Sequence, residues 1–155
     1  MENIKFQRMG RDEYFTKVAY LTGLRGTCGR LRVGIIAVKD NRQIASGYNG
    51  ALPGDPHCGN TICDMSQACT RTIHAEQNMI YFAAKHGISL EGATCFVTHS
   101  PCSVCARALI MAGVRKLYYA KKYRDTTGLE ILSSHNVELV NLSHEDAEKE
   151  KTHGL

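Results

Sequence analysis

The chain has 155 residues, 43% apolar and 22% charged, with seven cysteines and a formal net charge of +4. That is enough for one domain with a real core and too little for two, in the composition range of a globular rather than a disordered protein. No apolar run approaches the ~20 residues of a membrane helix, the charged N-terminus does not read as a signal peptide, and no long basic run interleaved with aromatics argues for nucleic acid.

In chain order the patterning alternates between helix and strand. Asp12 to about Leu24 reads as a first helix, with Tyr14, Phe15, Val18 and Leu21 near helical spacing and Asp12 as N-cap. Val33–Val38 and Gln43–Tyr48 read as strands joined by a Lys39–Arg42 hairpin turn. Asn49 to Thr72, rich in Gly, Pro, Asp and Cys, reads as a long loop that something must hold in place. Ile73–Lys85 is the clearest helix, with Ile73, Met79, Ile80, Phe82 and Ala83 as its apolar face and Gly87 as its stop. A strand at Ala93–Thr98 follows, then a helix to about Ala112 with Ser100 as N-cap and Pro101 at its first position. Lys116–Ala120 is a strand, Gly128–Ser134 a helix and Val137–Leu142 a last strand. The expectation is a single α/β domain over 1–155, cytoplasmic, with its core in 12–142 and a charged, solvated tail at 143–155.

Two short motifs carry chemistry. His74 and Glu76 stand in Thr72–Ile73–His74–Ala75–Glu76, and Cys102 and Cys105 in Pro101–Cys102–Ser103–Val104–Cys105. One histidine and two cysteines hold Zn²⁺ tetrahedrally with the fourth position open, which is the layout of a catalytic site. The metal brings the pKa of its water down to about 7, and Glu76 beside it is the natural proton carrier. A lone P-C-x-x-C also fits a structural zinc knuckle or a redox pair. Two motifs in the first turns of successive expected helices, with a glutamate beside the histidine, fit catalysis better, because both helix N-termini then point at one metal.

The remaining cysteines divide. Cys95 falls mid-strand and reads as a small core residue. Cys28 precedes the first strand, and Cys58, Cys63 and Cys69 lie in the long loop, so a second, Cys₄ zinc would staple that loop in place. Their spacing is looser than paired C-x-x-C, His57 offers itself as a substitute ligand, and free thiols are the alternative.

With these motifs the sequence resembles the zinc-dependent deoxycytidylate (dCMP) deaminases of the cytidine deaminase superfamily, in particular the bacterial competence-operon and phage branch. The similarity runs from about Leu24 to Leu142. It rests on Cys28–Gly29–Arg30, Gly47–Tyr48–Asn49–Gly50, the stretch Arg71–Asn78, the stretch Val97–Ala106, and Tyr118, Tyr119 and Tyr123. It implies a three-layer α/β/α sandwich around a five-stranded mixed sheet, and hydrolysis of dCMP to dUMP and ammonia as a supply for thymidylate synthesis. It also implies a homohexamer with dCTP–Mg²⁺ as activator and dTTP as inhibitor, acting on a segment that here holds Gly47, Tyr48, Asn49, Gly50, Gly54 and Asp55. Phage relatives carry a second zinc held partly by cysteines matching Cys28 and Cys58.

A nucleoside monophosphate needs a cation, an amide and a ring wall. Arg30 or Arg124 can grip phosphate through a forked guanidinium, Asn49 offers donor and acceptor, and Tyr123 offers a ring and a hydroxyl. The resemblance supports Arg30, Asn49 and Tyr123, whereas Arg124 rests on its chemistry alone. Backbone N–H groups around Ala75 and Cys102 would hold the charge that develops on the attacked base. Gly29 and His99 depart from the usual family residues. Two rival readings stand beside this one: a deaminase of another cytosine compound (deoxycytidine, dCTP or a polynucleotide) and a non-enzymatic zinc module for partner binding. Glu76 argues against the module, since a structural site has no use for that carboxylate.

Overall fold

A glycine, not an acid, starts the first helix. The computed structural model describes residues 7–58 and 69–142, and its first element is α1 (Arg11–Gly23), with Gly10 as N-cap. Asp12 therefore sits in the first turn, where it faces the positive helix end and pairs with Arg11 at 3.1 Å. Of the expected apolar face, Phe15 is buried and Val18 packs beside it, while Tyr14 and Leu21 are exposed and Ala19 takes the inner position. The stripe facing the sheet is simply narrower than the apolar spacing suggested.

β1 (Gly34–Lys39) and β2 (Arg42–Tyr48) form the expected hairpin. Asp40 and Asn41, at φ 49° and 59°, make its two-residue turn, since the right-handed strand twist favours turns with positive φ and Asp and Asn tolerate it. Next come β3 (Gly50–Ala51), β4 (Thr72–Ile73), α2 (Ala75–Lys85), β5 (Thr94–His99) and α3 (Ser103–Met111). The chain continues through β6 (Lys116–Lys121), α4 (Thr127–Ser134) and β7 (Glu138–Asn141).

The main sheet has five strands in the order β2-β1-β5-β6-β7. β1 pairs antiparallel with β2 and β5, while β5–β6 and β6–β7 are parallel, so the sheet is mixed as expected. Strand alternation sorts the core into two halves. Ile35, Ala37, Cys95, Val97, Leu117 and Tyr119 face α2, α3 and α4, whereas Ile36, Val38, Phe96 and Tyr118 face α1. On the α1 side Phe96 stacks on Tyr118 at 4.5 Å and meets Phe15 at 5.4 Å. This is the three-layer α/β/α sandwich. Among the described residues no helix is long and apolar enough to cross a membrane.

Two helix starts differ from the sequence reading, and both differences place ligands. Ile73 belongs to β4, which pairs with β3, so α2 begins at Ala75 and His74 is its N-cap. Ser100 does not cap α3, because its N–H donates to the Lys121 carbonyl (2.8 Å) and its Oγ accepts from Tyr123 N–H (2.7 Å). Cys102 is the N-cap instead, with Pro101 ahead of it. The long loop is held at both ends: by the β3–β4 pair, and by Arg71, which donates to the Pro56 carbonyl at 3.0 Å. Phe82, expected in the core, is exposed and packs on His86.

Gly47 seats α2. A Cβ there would run into the Ala75 carbonyl and lie 2.6 Å from Met79 N, so only glycine lets the helix that follows His74 lie this close to β2. Gly47, which the resemblance places in the effector segment, thus has a packing role at β2.

Candidate metal centre and substrate cavity

His74 Nδ1 lies 3.4 Å from Cys105 Sγ and 3.6 Å from Cys102 Sγ, and the three ligand atoms fall within 4.8 Å of one another. Tetrahedral zinc, with bonds of about 2.3 Å to sulfur and 2.0 Å to nitrogen, needs such N and S ligands roughly 3.5 Å apart. The donor set therefore fits zinc in both chemistry and spacing. The backbone builds it from two helix starts: His74 and Cys102 are the N-caps of α2 and α3, and Cys105 is buried in the first turn of α3. Gln77 Oε1 accepts from His74 N–H at 3.0 Å and helps fix the entry into α2.

The two thiols are electrostatically unlike. Contacts from Cys105 and then His74 hold Cys102 down to about 3. Cys105 is pushed far up by Cys102, by burial and by Glu76. Cys102 is thus the more readily ionised of the two, and both would ligate zinc as thiolates. The Cys102 contact raises the His74 pKa. Glu76 is 4% exposed in the first turn of α2 and touches Cys105; burial raises its pKa above the ordinary carboxylate range. Cys95 is a core thiol pushed up to about 12 by burial, as its position in the strand suggested.

A cavity of about 450 Å³ opens over these groups, with His74, Glu76 and Cys102 in its wall. Arg30, Asn49, Ala75, Tyr123 and Arg124 all line it too. The Arg124 guanidinium lies over the Tyr123 ring, 5.6 Å from its centroid. His99 also lines it, with Nδ1 3.0 Å from Thr98 Oγ1, and burial lowers its pKa. Of the wider expected set, Gly47, Tyr48, Gly50, Gly54 and Asp55 are not in this wall. The Tyr48 carbonyl accepts from Asn78 Nδ2 at 2.8 Å, and Asp55 N–H closes a turn on Leu52.

A family model described as the cytidine and deoxycytidylate deaminase zinc-binding region matches residues 9–121. The chain belongs to this deaminase family. ComE operon protein 2 of Bacillus subtilis is 44% identical over 119 residues, covering 76% of this chain and 63% of that protein. The deoxycytidylate deaminase of Enterobacteria phage T2 is 30% identical, covering 81% of this chain and 89% of the phage protein. Among solved structures, the dCMP deaminase of cyanophage S-TIM5 in complex with dCMP and dUMP is 34% identical with a TM-score of 0.79. That match covers 88% of this chain and 100% of the cyanophage chain.

Within this deaminase-family cavity the cysteines of the long loop are only partly placed. Cys28 is buried and Cys69 exposed, both in the cavity wall, and Cys69 Sγ is 3.2 Å from Thr72 Oγ1. Among the described residues Cys28, Cys58 and Cys69 do not form a three-ligand cluster, and Cys63 lies outside the described residues. Sequence reasoning missed Leu31 and Val33 as wall residues, since their apolar side chains carry no motif signal, and gave Thr72 no role although it opens the histidine motif.

Asn49 has a structural task beside the one its amide suggested. Its Oδ1 accepts from Val33 N–H at 2.8 Å and its Nδ2 donates to the Leu31 carbonyl at 2.7 Å. One N–H and one lone pair remain for a ligand, but the residue first pins the strand entrance that carries Arg30. Asn49→Ala is expected to lower stability by about 2 kcal/mol, since two hydrogen bonds of about 1 kcal/mol each are lost. It should raise KM more than it lowers kcat, because the wall rather than the proton carrier moves. Urea unfolding and steady-state kinetics on the same preparation check both, and a kcat collapse at constant KM would contradict this assignment.

Proposed function

We propose that the chain is a hydrolytic dCMP deaminase, converting dCMP and water to dUMP and ammonia. The observation that carries this reading is a buried glutamate beside a His74–Cys102–Cys105 ligand set, at the floor of a cavity walled by two arginines and a tyrosine. The names of the phage T2 relative and of the cyanophage structure support the same substrate.

His74, Cys102 and Cys105 would hold zinc, which when bound would acidify a water to a pKa of about 7. Glu76 takes one proton from the attacking water and passes it to N3 of the cytosine. It then takes the second from the hydroxyl now on C4 and gives it to the amine, which leaves as ammonia as the C4 carbonyl of dUMP forms. Ala75 is the first residue of α2, where a helix leaves backbone N–H groups without intrahelical partners. Its N–H is set to stabilise negative charge developing on the base. Arg30 and Arg124 neutralise the phosphate and Tyr123 walls the ring. The cavity volume is in the range of small-ligand sites, ~300–1,000 Å³.

The same reading assigns a structural zinc to Cys28, Cys58, Cys63 and Cys69. Support comes from Cys28 and Cys69 facing one cavity and from Arg71 tying the loop ends together. Elemental analysis should give two zinc ions per chain; one in a fully active protein would remove the second site.

The chain acts as one cytoplasmic domain supplying dUMP for thymidylate synthesis, and it self-associates, with a hexamer expected. Tyr81 on α2 and Val104 and Met111 on α3 are 57%, 61% and 87% exposed, an apolar content that favours association of copies. Activation by dCTP–Mg²⁺ and inhibition by dTTP act through Gly47–Asp55. Asn49 in that segment is bonded to the wall beside Arg30, so a ligand there has a route to the substrate.

Ammonia release across dCMP, deoxycytidine, CMP, dCTP and short single-stranded DNA tests the function. Preference for any substrate but dCMP would overturn it. Light scattering tests assembly, and superimposable hyperbolic dCMP curves with and without the triphosphates would remove the regulatory part.

A further inference from the structure

The segment Tyr123–Gly128 touches both ends of the site. Tyr123 and Arg124 line the cavity. Asp125 Oδ1 accepts from Thr127 N–H at 2.9 Å and shapes the entry to α4. Gly128, buried in the first turn of α4, packs against the backbone that delivers Cys102. A Cβ on Gly128 would run into the Pro101 carbonyl oxygen and lie 2.9 Å from Pro101 C and 3.0 Å from Cys102 C. All of these are main-chain atoms, so no flexible side chain can give way. On the other flank, Ser100, 3% exposed, accepts from Tyr123 N–H at 2.7 Å and donates its own N–H to the Lys121 carbonyl. The three residues Ser100–Pro101–Cys102 are thus clamped between the end of β6 and the start of α4.

We propose that Gly128 and Ser100 are positioning residues that set the Cys102 thiolate for metal, and that they tie the Tyr123–Arg124 wall to the metal end of the site. The proposal rests on the zinc reading of His74, Cys102 and Cys105. Cys102 caps a helix and has no place within a regular element to hold its direction. Its aim depends on the backbone on either side, and a ligand displaced by a few tenths of an ångström no longer matches tetrahedral zinc. Groups that orient metal ligands from outside the coordination sphere typically cost about 10–100-fold in metal affinity when changed.

The test is metal affinity rather than turnover alone. Apo-protein of wild type, Gly128→Ala, Ser100→Ala and the control Gly113→Ala would be titrated with Co²⁺ and Zn²⁺ against a chelator. The thiolate-to-cobalt absorption band would be recorded for each. Gly113 follows α3 at the end of the sheet away from the cavity, and its φ of 83° makes alanine strained there. It therefore reports a general loss of stability. The expected result is metal affinity lower by about 10–100-fold in Gly128→Ala and Ser100→Ala, with a shifted cobalt band, and neither change in Gly113→Ala. Ser100→Ala should also raise the KM for dCMP more than it lowers kcat, because Tyr123 and Arg124 lose their anchor. Wild-type affinity and band in both variants would overturn the proposal and leave the zinc reading intact. If Gly128→Ala does not fold, Ser100→Ala alone decides. Cys102→Ser protein with the same cobalt spectrum and metal affinity as wild type would instead overturn the zinc reading.

Discussion

Glu76→Gln is expected to lower turnover about 10⁴-fold or more while leaving zinc content unchanged, since a positioned general acid–base group typically contributes ~10²–10⁴-fold and this one acts on more than one proton. The substitution keeps the shape of the side chain and removes only its ability to carry a proton. Glu76 is 4% exposed in the first turn of α2 and is not one of the three ligand residues. Its loss should therefore spare the metal. Burial opposes its ionisation, so a neutral amide should leave the melting temperature unchanged or raise it, in the usual trade between site chemistry and stability. Turnover of dCMP, zinc content and thermal unfolding on one preparation check all three expectations. A Glu76→Gln protein with more than about a tenth of wild-type turnover would sink the proton-carrier role.

Cys102→Ser should empty the centre. Serine is nearly isosteric but is not deprotonated at neutral pH, whereas Cys102 is held down to about 3 by Cys105 and His74. Zinc affinity should fall by more than the ~10–100-fold typical of outer groups, and dCMP turnover should drop to background. Cys102 is the better ligand to replace because it is only half-buried, while Cys105 is wholly inside the core. The fold should survive, as judged by circular dichroism. Cys95→Ala is the matched control: its thiol is pushed up to about 12 in the core, so its loss should cost stability but no catalytic zinc. Stoichiometric zinc at the centre of active Cys102→Ser protein would refute the ligand assignment.

The ligand residues were readable from sequence because each motif sits within one turn of chain. The fold was readable for a similar reason: continuous apolar runs such as Ile35–Val38 and Cys95–Val97 suit strands buried on both faces, and the two-residue period sends one set to α1 and the other to α2–α4. Helix starts were less readable. Ser100 carries a strong capping residue followed by proline, yet its hydroxyl is taken by Tyr123 N–H, 23 positions away, and Cys102 inherits the cap. A local signal lost to a distant partner.

By itself the sequence determined which three residues come together as a ligand set, which glutamate stands beside them and where the apolar strand runs lie. These follow from chemistry and from the short periods of helix and strand. Only the tertiary structure decided what the conformationally special residues do. Asn49 is first a clamp on Leu31 and Val33, Gly47 a seat for α2, and Gly128 a gap that admits the Pro101–Cys102 backbone. Each of those roles is set by a backbone that arrives from elsewhere in the chain. A glycine or an asparagine looks the same in sequence whether it shapes a loop, meets a ligand or makes room for another segment, because the deciding partner is distant and leaves no periodic trace beside it.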